Sequence, residues 1–310
     1  MLPRWHKETI DVPPYKFNII DNTNVEDGRI TTRNFKIGAT YVDCVNVSVS
    51  YNKDNRPVSA KIPTLVYNEE CSFKPKLLDR GEGTKVIIKT LLRYVHEQIP
   101  EISLFEFQDA STIECGTDEE QYRKRHRKLG THAYPTVLYY FSLAFNGITW
   151  YEKHFHAYQK EGHEVYRAFV KEWLTTEEMK PDFAEFLAKA NPSDKLVAEL
   201  RTYYNHANTY GEFFTSIPTN DRCRLVRSWI YGFMKDEMRH VFSDDNWVID
   251  VTKMDESPEW SLASIKQGGL RRTLRKRSSK RSNKQKSSYY CPKGHVNTLL
   301  VCHDMGAEMN

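Results

Sequence analysis

Apolar residues recur at helical spacing in residues 86–95, and in the segment before this run they alternate with polar residues. From Val86 to Val95 the apolar positions follow the period of an amphipathic helix with one buried face, and Pro100 ends that helix. Residues 36–51 alternate instead. This pattern predicts one strand of a β-hairpin whose second strand is residues 58–67.

Further strands are predicted on both sides of the central helix. Residues 71–78 and 102–107 have the composition of short strands. Residues 1–37 are polar and mixed, with turn signals at Pro13-Pro14 and Asp27-Gly28, and they predict at most one strand. Strand segments therefore precede the helix and also follow it.

The second half of the chain has a helical pattern. Residues 135–146 predict a helix that Gly147 ends, and residues 161–242 continue with helical spacing up to a last helix at Arg222–Phe242. The aromatic side chains of this region are expected to form its core. Residues 247–251 then predict a strand that returns to the sheet. The pattern leaves open whether the helical region covers a substrate cleft or forms a partner surface.

A glycine-rich turn, Arg80–Thr84, precedes the central helix. Such a turn directs backbone N–H groups and the positive end of the helix dipole at one point, where a phosphate can bind. The spacing matches neither a Walker A loop nor a Gly-x-Gly-x-x-Gly dinucleotide turn. A tight strand-to-helix turn without a ligand is the other interpretation.

The order of strand, Arg-containing glycine turn, helix and strand resembles the coenzyme-A-binding core of the GNAT N-acyltransferases. The resemblance implies that the turn binds the pyrophosphate of acetyl-CoA and that the flanking strands separate to admit the pantetheine arm. Lys85 stands where the family usually has Gly or Ala, so the match is partial. The cofactor-binding residues it implies are Leu77, Leu78, Arg80, Gly81, Gly83, Thr84 and Lys85.

A second segment, Tyr151–Phe155, is similar to the Tyr-Glu-Lys-x-Gly-Phe segment near the end of GNAT domains. In that family the tyrosine often protonates the departing thiolate, and Tyr151 is the corresponding residue. The segment here is one residue shorter and lacks the glycine. Thr149 to Glu152 also fits a capping box, so the aromatic residues of this segment could simply anchor a helix start.

The resemblance also defines the remaining chemistry. Glu106 and Asp109, at the end of the 102–107 strand, are the candidate general bases, and a water chain is the alternative. A backbone N–H on the 71–78 strand is expected to polarise the thioester carbonyl. The acceptor is an amine or a lysine side chain, which the acidic body of the chain favours.

Charge separates the chain into an acidic body and a basic tail. The 310 residues carry a formal charge of +4, and residues 266–310 carry eleven Lys or Arg against Asp304 and Glu308, which leaves −5 for residues 1–265. The tail can bind nucleic acid or another polyanion, or act as a nuclear localisation signal, an anionic-surface anchor or a solvated extension. The candidate nucleic-acid-binding residues are Arg271, Arg272, Arg275, Lys276, Arg277, Lys280 and Arg281.

Composition restricts the class of protein. Hydrophobic residues make up 39% of the chain, and no run approaches the ~20 apolar residues of a membrane span. The six cysteines follow no disulfide-scaffold spacing, which predicts a reducing, intracellular compartment, cytoplasmic or nuclear. No metal is expected, because Cys291, His295 and the adjacent Cys302-His303 have poor zinc-ligand spacing.

The predicted fold class is α/β (α+β), a GNAT-like mixed central sheet with flanking helices, followed by a mainly helical C-terminal region and a basic tail. The predicted function is acetyl transfer to an amine. The alternative is a catalytically degenerate GNAT-fold structural or nucleic-acid-associated protein of a virion, since the pattern is similar to divergent GNAT-like proteins of large DNA viruses. The predicted domains are an arm (1–37), the acyl-CoA-binding domain (38–160), the helical region (161–255), a basic linker (256–290) and a terminal segment (291–310).

Overall fold

A computed structural model describes residues 4–39, 43–65, 68–73, 75–79, 81–113, 136–258 and 260–262. In this part the chain is a mixed α/β structure with one large sheet and flanking helices. The strands are β1 (Arg4–Val12), β2 (Tyr15–Glu26), β3 (Arg29–Gly38), β4 (Asp43–Tyr51), β5 (Pro57–Leu65), β6 (Leu104–Phe107), β7 (Thr112–Ile113), β8 (Thr136–Val137), β9 (Tyr158–Gln159) and β10 (Trp247–Asp250). The α-helices are α1 (Glu82–Gln98), α2 (Leu138–Asn146), α3 (Trp150–Phe155), α4 (His163–Thr175), α5 (Phe183–Ala190), α6 (Asp194–Asn205), α7 (Tyr210–Ser216), α8 (Thr219–Val226) and α9 (Ile230–Met238).

The large sheet has eight strands in the order β1-β2-β3-β4-β5-β6-β10-β9. Its neighbours are antiparallel except β5 and β6, which are parallel and are joined through α1. The apolar face of α1 packs on β3 and β4, so one face of the sheet and this helix form the core of the N-terminal half. The predicted central helix and the strand after it are confirmed, and the predicted hairpin is β4–β5, although residues 36–38 of its first strand belong to β3.

The parallel pair β5–β6 is short and lies beside a β-bulge. The two strands pair at Lys61 and Glu106 alone. On the other side of β5, Asn46 pairs with Thr64 but Ser48 pairs with Lys61, so β5 has one residue more than β4 between these pairs. Pro63 lies in this bulge, where a residue without a backbone N–H removes no regular ladder bond. The bulge bends β5 at the point where its pairing with β6 ends.

The expectation of at most one strand in residues 1–37 is wrong. Residues 4–38 form three long strands, β1 to β3, which pair in sequence. Polar side chains on the face of the sheet away from α1 interrupt the apolar pattern, because only one face of these strands is buried. The division of the chain into domains stays a prediction.

The helical region lies in the chain between β9 and β10, which are neighbours in the sheet. Its aromatic side chains form a core, as predicted: Trp173 stacks on Tyr210 and Phe186 stacks on Tyr204, each with ring centroids 4.6 Å apart. The return to the sheet at residues 247–250 is confirmed. The single last helix predicted at Arg222–Phe242 is wrong. It is two helices, α8 and α9, because the backbone of Trp229 leaves the helical region and its indole donates to the Leu225 carbonyl.

Some of the cysteines are paired, although their spacing follows no disulfide-scaffold pattern. Cys44 on β4 and Cys71 in a 3₁₀ turn form a buried disulfide, and Cys223 is disulfide-bonded as well. No helix in the described part of the chain combines the length and the apolar composition that a membrane crossing requires.

Candidate active site

The candidate residues gather at one edge of the sheet. Because α1 connects two parallel strands, its N-terminus lies at the edge where β5 and β6 end. Residues 81–85 begin α1 at this edge, and residues 107–109 end β6 there. Helix α3 packs alongside, since the Lys89 ammonium of α1 lies 5.9 Å from the centroid of the Phe155 ring. Such edges are where open α/β sheets bind ligands.

Gly81 and Gly83 have different structural reasons to be glycine. Gly81 caps α1 with φ 73°, a backbone conformation that favours glycine. Gly83 is closely packed, because a Cβ there would lie 2.9 Å from Leu78 Cγ and 3.2 Å from the Tyr15 hydroxyl. Thr84 is buried, and its Oγ1 has no hydrogen-bond partner in the described structure. The turn therefore begins a helix whose first residues are largely covered by protein.

The strand predicted at residues 71–78 is wrong. The described residues there form a 3₁₀ turn at Glu69–Cys71 and then an irregular segment without a strand. The disulfide and hydrogen bonds to Lys16 hold this segment against the sheet. The backbone N–H expected to polarise a thioester carbonyl therefore does not lie on a strand.

The same segment closes over the first turn of α1. The Tyr15 hydroxyl donates to Asp79 at 2.8 Å, and burial together with Asp79 raises the pKa of Tyr15 to about 12. Lys76 and then Tyr15 lower the pKa of the Asp79 carboxyl. Leu78 is buried, whereas Leu77 is half-buried. Leu78, one of the predicted cofactor-binding residues, thus packs against Gly83 in the first turn of α1.

Lys85 lies at a pocket of about 320 Å³ between α1, α3 and the turn after β10. We call it the lysine pocket, because Lys85, Lys89 and Lys153 line it. The ammonium of Lys85 pairs with Glu82, and its side chain is mostly buried. The ammonium of Lys89 pairs with the carboxylate of Asp255 at 2.6 Å. The same carboxylate pairs with the guanidinium of Arg93 at 2.5 Å. The basic side chains lining the pocket are those of Lys85, Lys89, Lys153 and His154, and the acidic ones are those of Glu82, Asp255 and Glu256.

His154 lines this pocket, and its imidazole is uncharged at neutral pH. Burial, and then the charges of Lys85, Lys153 and Lys89, lower the pKa of its imidazole to about 3. The imidazole is therefore uncharged mainly because it is buried, and three ammonium groups lie near it. The three carboxylates of the pocket, those of Glu82, Asp255 and Glu256, formally balance these ammonium groups, so a phosphate would have to displace a carboxylate from a lysine.

Tyr151 and Asp109 come together at the end of β6. Tyr151 is 4% exposed, and its ring centroid lies 4.6 Å from that of Phe107. Burial, and then the charge of Asp109, raise the pKa of Tyr151 well above its ordinary value. Burial raises the pKa of Asp109 to about 7, although its carboxylate accepts hydrogen bonds from the N–H and hydroxyl of Ser111. A carboxyl group that titrates near neutrality beside a phenol is a candidate acid–base pair.

Glu106 does not join this pair. Side chains alternate along β6, and Phe107 faces Tyr151, so Glu106 lies on the other face of the sheet. There its carboxylate pairs with the ammonium of Lys160 at 2.5 Å. Asp109 is therefore the candidate base that the fold places beside Tyr151.

The helix start predicted at Thr149 is confirmed and is part of a buried network. Thr149 and Glu152 form a reciprocal capping box. The Glu152 carboxylate also accepts from the Tyr166 hydroxyl at 2.9 Å and pairs with Arg167 at 3.3 Å. Burial nevertheless raises the pKa of Glu152. This network fixes α3, and with it the position of Tyr151.

Several predictions lie outside the described residues: Arg80, and all of the tail from residue 263, including the basic residues 271–281 and the cysteine and histidine residues beyond them. No group of three or more His, Cys, Asp or Glu side chains suited to a metal occurs where the structure is described. Sequence reasoning missed the lysine pocket. The spacing of Lys85 and Lys89 on one face of α1 was its only visible signal, since Lys153 comes from a distant segment.

We expect Gly83→Ala to destabilise the protein by about 1–3 kcal/mol, because the added methyl group overlaps Leu78 and forces it to move. Urea unfolding followed by tryptophan fluorescence measures this loss. Gly232→Ala is the matched control, since a Cβ at Gly232 of α9 meets nothing within 4 Å. The control should be neutral or slightly stabilising, and equal losses in both variants would contradict the packing of Gly83.

Comparisons with known proteins give no relative: no protein-family model, no curated protein and no solved structure matches this chain.

Proposed function

We propose that this chain is an acyl-CoA-dependent N-acyltransferase of GNAT type that transfers an acetyl group to an amine. The observation that carries the proposal is the β5–α1–β6 unit. Its parallel strands pair at one position beside a bulge, and the helix between them begins with a glycine turn at the same edge. On this proposal the two strands separate beyond Lys61 and Glu106, and the pantetheine arm of acyl-CoA enters there.

The lysine pocket supports the binding of the phosphates of acyl-CoA. Lys85 and Lys89 of α1 face Lys153 of α3 across it, close to the positive end of the α1 dipole. The ammonium of Lys89 is paired with the carboxylate of Asp255, so a phosphate that binds this ammonium displaces the carboxylate.

The chemistry follows from the Tyr151–Asp109 pair. The amine nitrogen attacks the thioester carbonyl carbon, the carbon–sulfur bond breaks, and the thiolate leaves with the electron pair of that bond. Asp109 accepts the proton that the amine loses, and Tyr151 donates the proton that the thiolate gains. Burial makes the phenol a weaker acid. It also makes a thiolate in the same dry surroundings a stronger base, so their proton affinities stay matched.

A second candidate function is a binding or structural role without catalysis, as in a virion or nucleic-acid-associated protein with a polybasic tail. Leu78 and Tyr15 cover Gly83, and Tyr151 is almost fully buried. Glu82 and Asp255 already pair with the two lysines of α1. On this account the fold persists while the site is closed. Fold alone does not decide between the two functions.

Replacing Tyr151 by phenylalanine tests the enzymatic function. We expect transfer from acetyl-CoA to a primary amine to fall about 100-fold, at the low end of the contribution of a general acid. The ring packing on Phe107 stays, so the fold should be unaffected. The assay follows thiol release with a spermidine or lysine-peptide acceptor. Tyr158→Phe, a half-buried phenol on β9, is the matched control and should retain activity. Unchanged transfer in Tyr151→Phe would remove this residue from the mechanism.

A further inference from the structure

A second, larger cavity lies at the opposite end of α1, about 25 Å from Gly81 given ~1.5 Å per residue over this helix. It is a groove of about 840 Å³ bounded by β1, the β2–β3 and β4–β5 hairpins and the last turn of α1. Helix α1 ends before it covers this part of the sheet, so the groove is left open. Neither the acyltransferase chemistry nor its phosphate pocket uses it.

Aromatic rings line the groove. Trp5 is a strongly exposed aromatic residue, with 64% of its surface accessible to solvent. Tyr51 and Tyr94 line the groove with it. Tyrosine and tryptophan faces attract cations that come within about 6 Å of the ring centroid. Side chains alternate along β1, so Trp5 points to the opposite face from Glu8 and borders the groove at the free edge of the sheet, whereas Tyr51 and Tyr94 lie within the groove. These rings are suited to a cationic partner.

The charge of the groove favours a cation. Arg33 is neutralised inside it, because its guanidinium binds both oxygens of the mostly buried Asp21 at 2.6–3.1 Å. Glu8 remains. Its Oε2 accepts from the Tyr94 hydroxyl at 3.2 Å and lies 4.0 Å from Nε2 of His6, and its side chain is 49% exposed. The groove thus presents one available carboxylate, held in place by a tyrosine, beside aromatic rings.

We propose that this groove binds an extended Lys- or Arg-rich peptide segment. Its volume exceeds that of a single side chain, and its carboxylate and rings recognise ammonium and guanidinium groups. The charge of the chain is complementary to such a partner, since the body carries −5 and residues 266–310 carry +9. Residues 270–281 of this same chain, with seven Lys or Arg, have the required chemistry and serve as the probe.

The test is fluorescence polarisation of a labelled peptide of residues 270–281 titrated with the 310-residue chain. We expect binding to weaken about five- to tenfold in Glu8→Gln and in Trp5→Ala, and to be retained in Trp5→Phe. Asp11→Asn is the matched control, because it removes the same charge from the same strand at a residue that does not line the groove and pairs with Lys16. This control should bind as the wild type does.

Three results would overturn the proposal. The first is equal weakening by Asp11→Asn and Glu8→Gln, which would mean that the peptide follows the overall charge of the body. The second is unchanged binding in Glu8→Gln. The third is competition by spermidine at the same concentration of positive charge as the peptide, which would mark a site for small polyamines. Circular dichroism of each variant confirms that the fold is kept.

Discussion

Asp109→Asn should make the protein more stable than the wild type above neutral pH, by about 4 kcal/mol relative to the difference at acid pH. The reason is burial, which raises the pKa of Asp109 from 3.8 to about 7. Between these values the folded state holds a proton that the unfolded state has released. The stability contributed by this proton is complete below pH 3.8 and is lost as the pH rises to about 7.

The asparagine variant keeps the acceptor for Ser111 and carries no charge, so its stability should not fall over this interval. Urea unfolding at several values between about pH 4 and pH 8 gives the two curves. Asp79→Asn is a control with the opposite sign. Lys76 lowers the pKa of Asp79, so that its charged form stabilises the fold above the ordinary carboxyl pKa, and the variant should lose stability at neutral pH. Parallel curves for Asp109→Asn and the wild type would contradict the burial of a titrating Asp109.

Removing the disulfide by the double substitution Cys44→Ala and Cys71→Ala should cost about 3.5 kcal/mol, the chain-entropy value for a loop of 27 residues. The bond ties β4 to the segment that places Leu78 and Asp79 over the first turn of α1. Its loss should therefore also loosen this turn and weaken any ligand bound there.

Urea unfolding with and without dithiothreitol measures this effect. The reduced wild type should behave like the double variant, while the double variant itself should change little with the reductant apart from the contribution of the Cys223 bond. Alkylation of Cys44 and Cys71 in unfolded, unreduced protein would contradict the bond. A stable disulfide in the purified protein would favour folding in an oxidising environment.

The elements that the sequence predicts well are those with local signals. Helix α1 has a complete apolar stripe, Gly147 adopts φ 69° as a helix C-cap, and Thr149 with Glu152 forms the capping box. Strand β10 is a short apolar run whose first three residues are buried in the sheet. In each case the residues that determine the element are neighbours in the chain.

The failures involve partners far away in the sequence. Strands β1 to β3 bury one face only, and their polar positions hide them. The segment at 71–78 has strand-like composition, but the bond to Cys44 and the contacts with Lys16 give it another conformation. The site follows the same rule, because Tyr151, Asp109 and the lysine pocket are assembled by the fold.

Titration of the 310-residue chain with acetyl-CoA shows whether the lysine pocket belongs to an acyl-CoA site. At a ligand concentration of about a hundred times Kd, binding should stabilise the native state by about 2.7 kcal/mol and raise Tm by several degrees. Lys89→Gln and Lys153→Gln should weaken the binding, because both ammonium groups line the proposed phosphate pocket, whereas Lys171→Gln, on the exposed face of α4, should not. A Tm that does not change at millimolar acetyl-CoA would contradict the account.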